Sequence, residues 1–151
     1  WRELAAEVAA APPEAEAAGE VAAGSPPAAK DHWEIGLQPS GEERPVRIAL
    51  KEANAATSGD LYQFVEINGK RYSHIIDPRT GLGSTISRQA TLIAPTGAMA
   101  DPLTKLLCLM DPAESLPLLT KTWPGLEARI TWKPDGQPLQ TRQTPGFPLL
   151  P

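Results

Sequence analysis

The pair Asn68-Gly69 constrains this chain more than any other feature. It is set between the apolar and aromatic run of Tyr62, Phe64, Val65 and Ile67 and that of Tyr72, Ile75 and Ile76. Both residues of the pair tolerate positive φ, which a two-residue type I′ turn demands, so the segment is predicted to be a β-hairpin. Its second strand then delivers His74, Asp77 and Arg79 within six positions. A charged rim this dense is more than a hairpin needs. Before the first strand, Thr57-Ser58-Gly59-Asp60 packs two hydroxyls, a glycine and a carboxylate into four residues. That composition lets backbone approach a ligand closely and offers it hydrogen bonds. After the second strand, Asp77-Pro78-Arg79-Thr80-Gly81 reads as a turn in which proline sets φ and glycine supplies an unusual dihedral. Either turn alone reads as structural; together, at neighbouring ends of one hairpin, they point to a site.

The remaining elements follow from periodicity and punctuation. Trp33, Ile35 and Leu37 alternate with polar or small residues as in a half-exposed strand, Gln38 to Pro45 is a turn, and Val46 to Leu50 returns to pair with the first strand. Ala90 to Ala94 is a compact apolar strand ended by Pro95-Thr96-Gly97. Asp101-Pro102 predicts a helix start, with aspartate as cap and proline at the first helical position, and Leu103, Leu106, Leu107 and Met110 recur at helical spacing up to Asp111-Pro112. A carboxylate at such a terminus either caps the helix or faces a cation. A second short helical segment covers Ala113 to Leu119, and Leu126 to Trp132 is a strand followed by a turn at Pro134-Asp135-Gly136. The proline-rich tail is too broken for a helix, with Phe147 and Leu149 available to pin it to the body. At the other end, Trp1 to Ala11 suits a short alanine-rich helix stopped by Pro12-Pro13. The stretch from there to Lys30 has almost nothing large to bury and reads as a linker or surface excursion. Residues 1–31 are therefore expected to be a leader and 32–151 the folded region.

Composition excludes several function classes. The 151 residues suit one domain, and a net charge of −4 makes no electrostatic case for nucleic acid. There is no apolar run of about 18 residues to span a membrane. Cys108, alone, cannot form an internal disulfide or a cysteine-cluster metal site, and in Leu103 to Met110 it reads as a small buried hydrophobe. His32, beside Asp31, reads as a surface histidine. The N-terminal residues show no basic region followed by an apolar one, so no signal peptide is expected from them.

These residues carry a resemblance. ATSGD at Ala56 to Asp60, INGKRYSHIIDPRTG at Ile67 to Gly81, APTGAMADPLTK at Ala94 to Lys105 and DGQPLQTRQTPGF at Asp135 to Phe147 resemble the C-terminal half of the ApbE family, the FAD:protein FMN transferases, over Trp33 to Phe147. The resemblance implies an α+β, T-fold-like core, partial here, with a mixed or mainly antiparallel sheet and one principal helix. It implies magnesium-dependent cleavage of the FAD pyrophosphate and attachment of FMN to a serine or threonine of a target protein. His74 would activate the acceptor hydroxyl or organise the reacting phosphate. Thr57, Ser58, Gly59, Asp60, Asp77, Arg79 and Thr96 would border the cofactor, with Arg79 either meeting phosphate or pairing with Asp77. Asp101 and Thr104 would serve the metal; where the family helix usually has threonine four positions after its aspartate, this chain has Lys105. The implied partners are FAD, a flavin-accepting protein, and a complementary chain or second copy supplying the other half of the site. A periplasmic or membrane-associated location is suggested by the family alone. Two further functional classes stand beside the transferase: a flavin-binding module without transfer, and a structural or interaction subunit that keeps the sheet.

Overall fold

Strand periodicity builds the body of the protein. In Ala53–Gly59 and Arg88–Ala94, small and β-branched residues alternate between two covered faces, so every position of the pair is buried or half-buried. The computed structural model describes residues 19–37, 46–60, 64–134 and 137–151. In chain order the strands are β1 (Glu20–Ala23), β2 (Trp33–Gly36), β3 (Arg47–Leu50), β4 (Ala53–Gly59), β5 (Phe64–Ile67), β6 (Lys70–Ser73), β7 (Ile76–Asp77), β8 (Leu82–Gly83), β9 (Arg88–Ala94), β10 (Glu127–Trp132) and β11 (Gln140–Gln143). Helices α1 (Gly97–Leu109) and α2 (Pro112–Thr122) lie between β9 and β10. One five-stranded sheet runs β1-β4-β9-β10-β11, each neighbouring pair antiparallel. On one face Ala56, Ala90, Leu92, Ala128 and Ile130 pack against Ala100, Leu107 and Cys108 of α1 and Leu116 and Leu119 of α2. On the other, Ala55 meets Ile48 and Leu50 of β3 and Phe147 of the tail.

Much of the predicted layout is present. β2 and β3 pair, the Asn68-Gly69 turn has φ of 52° and 72°, Phe147 is buried, and Leu149 bridges Ile48. Cys108 is buried, as its neighbours predict. The expected N-terminal helix, the Gln38 to Pro45 turn, Tyr62 and the Asp135-Gly136 turn lie outside the described residues.

Four expectations are corrected. The principal helix begins at Gly97 rather than Asp101, with Pro102 inside it. Ala98, Met99 and Ala100 propagate helix well enough to outweigh the Asp-Pro start signal, and Pro102, on the exposed side, leaves the carbonyl of Ala98 without its usual donor. The expected second helical segment is present and longer than Ala113 to Leu119, since α2 runs for 11 residues on its own cap, Asp111, whose side chain accepts a hydrogen bond from the Ala113 amide. Part of the presumed linker is β1, which pairs with β4 and sends Val21 and Ala23 to the second core; alanines do not announce a strand, but they fit a crowded edge. Finally, Thr57-Ser58-Gly59 is not a turn but the end of β4, and the second hairpin strand stops at Ser73, short of His74.

Candidate functional site

β4 and β9 are adjacent, with Gly59 opposite Gln89, yet residues 60–87 separate them in sequence. That excursion leaves one end of the sheet, forms the β5–β6 hairpin and the β7–β8 ribbon, and returns. It contains Asp60, His74, Asp77 and Arg79 of the residues singled out from sequence. Its apolar side chains Phe64, Val65, Ile67, Ile76, Leu82 and Ile86 are exposed.

The excursion is tied down by Asp60. This residue is 1% exposed, and its carboxylate lies 3.0 Å from Arg71 Nε, which comes from the far strand of the hairpin. The N–H is not aligned with the carboxylate, so the two make an ion contact rather than a well-formed hydrogen bond. Arg71 also donates to the Asp60 carbonyl, its guanidinium stacks 3.6 Å from the centre of the Phe64 ring, and Ser87 Oγ donates to Asp60 Oδ1 at 3.2 Å. Charge, stacking and hydroxyl together fasten the hairpin to the sheet end.

The corner that follows presents His74. The Ser73 amide donates to Ser84 O at 2.8 Å and the Ser84 amide to Ile75 O at 2.9 Å, which stitches the ribbon to β6. Ser73 and Ile75 are buried and His74 between them is exposed. At the ribbon tip Asp77 accepts from the Arg79 amide at 2.9 Å and receives its guanidinium as a fork, Nε to Oδ1 at 3.0 Å and Nη2 to Oδ2 at 2.7 Å. Hydrogen bonding from Arg79 holds the Asp77 carboxyl below its ordinary value, and the same pairing raises Arg79. Of the two roles left open for Arg79, the structure realises the internal pair.

Beside the excursion opens a cavity of about 460 Å³, lined by Asp60, Ser87, Arg88, Gln89, Thr131, Trp132, Lys133 and the Gln137–Leu139 segment. Arg88 donates to the carbonyls of Cys108, at 3.2 Å, and Met110, so a buried cation closes the negative end of α1. Burial lowers the Arg88 pKa and pushes the Cys108 thiol up to about 12, which makes Cys108 a packing residue rather than a nucleophile.

α1 carries the remaining candidates. Thr104 is fully buried; its hydroxyl donates to Asp101 O at 2.7 Å and lies 2.6 Å from Ser58 Oγ. Asp101, in the second turn, pairs with Lys105. Thr96 caps α1 only through its backbone conformation, without a side-chain hydrogen bond. It sits beyond the far end of β9, roughly 20 Å along the strand from Arg88.

With this geometry in place, comparison with known proteins is informative. The sequence pattern of the ApbE family matches residues 15–130. The chain belongs to the ApbE family. It is 32% identical over 119 residues to an FAD:protein FMN transferase of Klebsiella pneumoniae, covering 76% of this chain and 33% of that protein. A Treponema pallidum FAD:protein FMN transferase is 30% identical over 100 residues, 64% of this chain and 27% of its own. Among solved structures, the Pseudomonas stutzeri flavinyl transferase ApbE superposes with a TM-score of 0.66 at 27% identity, over 86% of this chain and 40% of that one. The ApbE protein of Thermotoga maritima gives 0.66 at 28%, over 83% and 40%. The chain thus spans about a third of the length of the curated relatives it matches.

Within this ApbE-family chain, the structure joins Ser58 to Thr104 and Asp77 to Arg79, and places Thr57 on the opposite sheet face, 2.9 Å from Thr91 across the strand pair. Gly59 faces Gln89, where a Cβ would come within 3.1 Å of its side chain. Arg71, Ser87 and Arg88 were not singled out from sequence. Arg71 alone left a signal, as one of two successive cations, Lys70 and Arg71, directly after the turn. No helix of the described residues is long and apolar enough to cross a membrane.

Proposed function

We propose that this chain is the C-terminal part of an ApbE-type flavin transferase, which moves FMN from FAD to a serine or threonine of a target protein once the rest of the site is supplied. The observation that carries this reading is the family match over residues 15–130. The excursion supports it, since it holds His74 at an exposed corner beside an arginine-bearing rim.

In the proposed reaction the acceptor hydroxyl oxygen attacks the FMN-side phosphorus of FAD. A new phosphorus–oxygen bond forms, the bond to the other phosphate breaks, and AMP leaves. His74 takes the hydroxyl proton, the task for which imidazole is suited near neutral pH. Ser58, Gly59 and Asp60 border the cofactor at the sheet end, and Asp77 orients Arg79 at the rim. A complementary stretch, from further sequence of a longer chain, a second chain or a second copy, covers the apolar residues left exposed on the excursion.

Magnesium held by Asp101 and Thr104 is the part of the family pattern these residues fit least. The Thr104 hydroxyl is buried and engaged twice, Asp101 carries Lys105, and the described residues contain no group of three or more His, Cys, Asp or Glu placed to hold a metal ion. No step is therefore routed through a metal.

Calorimetry of the assembled protein with FAD tests the reading, and binding is expected. Mass spectrometry of a threonine-containing target should then show an FMN adduct that His74→Ala abolishes. Absence of FAD binding removes every flavin role and leaves an interaction subunit. Binding without an adduct reduces the chain to a flavin-holding module.

A further inference from the structure

We propose that Lys105 is the resident cation of Asp101, standing where the family pattern has a metal-serving threonine, and that it meets a phosphate group at this site directly. Asp101 and Lys105 lie one helical turn apart on the same side of α1 and form an ion pair. Their side chains are 39% and 42% exposed, so the pair sits at the surface, open to a ligand and not sealed in the core. An ammonium has three donors. Among the described residues Asp101 is the partner found for it, which leaves two N–H groups for an anion.

The surroundings favour an ammonium over a divalent ion. Magnesium requires close to six oxygen ligands in octahedral array, and a lysine head group beside the Asp101 carboxylate both takes a ligand oxygen and repels a second cation. The Thr104 hydroxyl is already held between Asp101 O and Ser58. Lysine is a common phosphate ligand that acts as a point charge and needs no metal bridge.

The nature of the anion rests on the flavin-phosphate reading; the metal half of the proposal does not, and the test separates them. The full chain, without flavin, is titrated with Mn²⁺ and followed by electron paramagnetic resonance. The wild type is expected to show no saturable site dependent on Asp101. Asp101→Asn is expected to leave the Mn²⁺ titration unchanged. Wild-type Mn²⁺ binding that Asp101→Asn abolishes overturns the proposal. Calorimetry with inorganic pyrophosphate in the presence of EDTA tests the anion contact. Lys105→Met should weaken binding about tenfold, the scale of one charge-assisted hydrogen bond. An unchanged affinity, or no pyrophosphate binding by the wild type, overturns the contact. FAD failing to bind while the Mn²⁺ and pyrophosphate results hold removes the flavin reading and leaves Lys105 in its role.

Discussion

Replacing Arg71 with alanine tests how the excursion is fastened to the sheet. The Asp60 side chain is 2% exposed and its counter-charge, the Arg71 guanidinium, is 3.0 Å away and 32% exposed. Removing one partner of a buried ion pair strands the other charge and costs about 3–5 kcal/mol. Arg71 is partly solvated, so its departure admits some water and the expectation falls at the lower end, roughly 3 kcal/mol. Ser87 Oγ remains on the carboxylate and cannot replace the charge. For a chain of this length that loss lowers Tm by roughly 6–12 °C. Urea unfolding of the wild type, Arg71→Ala, Asp60→Asn and the double variant completes a cycle, provided the slope with urea stays constant across the set. The double variant, with no carboxylate left to strand, should recover more than about 1.5 kcal/mol relative to the sum of the singles. A cost for Arg71→Ala below about 1 kcal/mol, the range of surface pairs, would refute the buried-charge argument. Additivity within about 0.5 kcal/mol would do the same.

The ribbon, the rim and the core thiol give three further tests. At Gly83 an added Cβ is driven into the Ser73 carbonyl, so Gly83→Ala should separate the ribbon from β6 at a cost of about 1–3 kcal/mol; amide exchange at Ser73 and Ser84 that stays slow contradicts this. The Asp77 pKa is depressed in the fold, so its contribution to stability is present above the unfolded value of 3.8 and is lost as pH falls through the lower folded value. Carboxyl NMR should find Asp77 titrating below 3.8 in the wild type and near it in Arg79→Ala; a wild-type midpoint at or above 3.8 rules out the fork. The Cys108 pKa is raised, so its contribution is full below 9.0 and is lost as pH rises from there through about 12. Alkylation of the native thiol at mildly alkaline pH should track unfolding, and rapid labelling of the folded chain would contradict its burial.

What could be read from residues alone divides by the range of the interaction. Asn68-Gly69 specifies its turn because the requirement is a local backbone dihedral, and the alternation in Trp33 to Leu37 and in Leu126 to Trp132 specifies strands because each packs one face on the body, Ile35 and Leu37 half-buried and Ala128 and Ile130 buried. The Asp101–Lys105 pair is hidden while Asp101 reads as the helix cap; it emerges only because the helix starts at Gly97, which puts both residues inside it one turn apart. Glu20–Ala23 escaped notice because its strand character comes from β4, not from its own alanines. The pairing of Asp60 with Arg71 escaped because eleven positions and a hairpin lie between them, and no periodicity links residues across a turn whose orientation the sheet end decides. That dependence places the whole polar stretch in one mechanical unit. Residues 60–87 leave β4 and return to β9, so the positions of His74, Asp77 and Arg79 are inherited from the β4–β9 ladder through Asp60, Arg71 and the Ser73–Ser84 stitch. A change that loosens those anchors should therefore displace His74 without touching it.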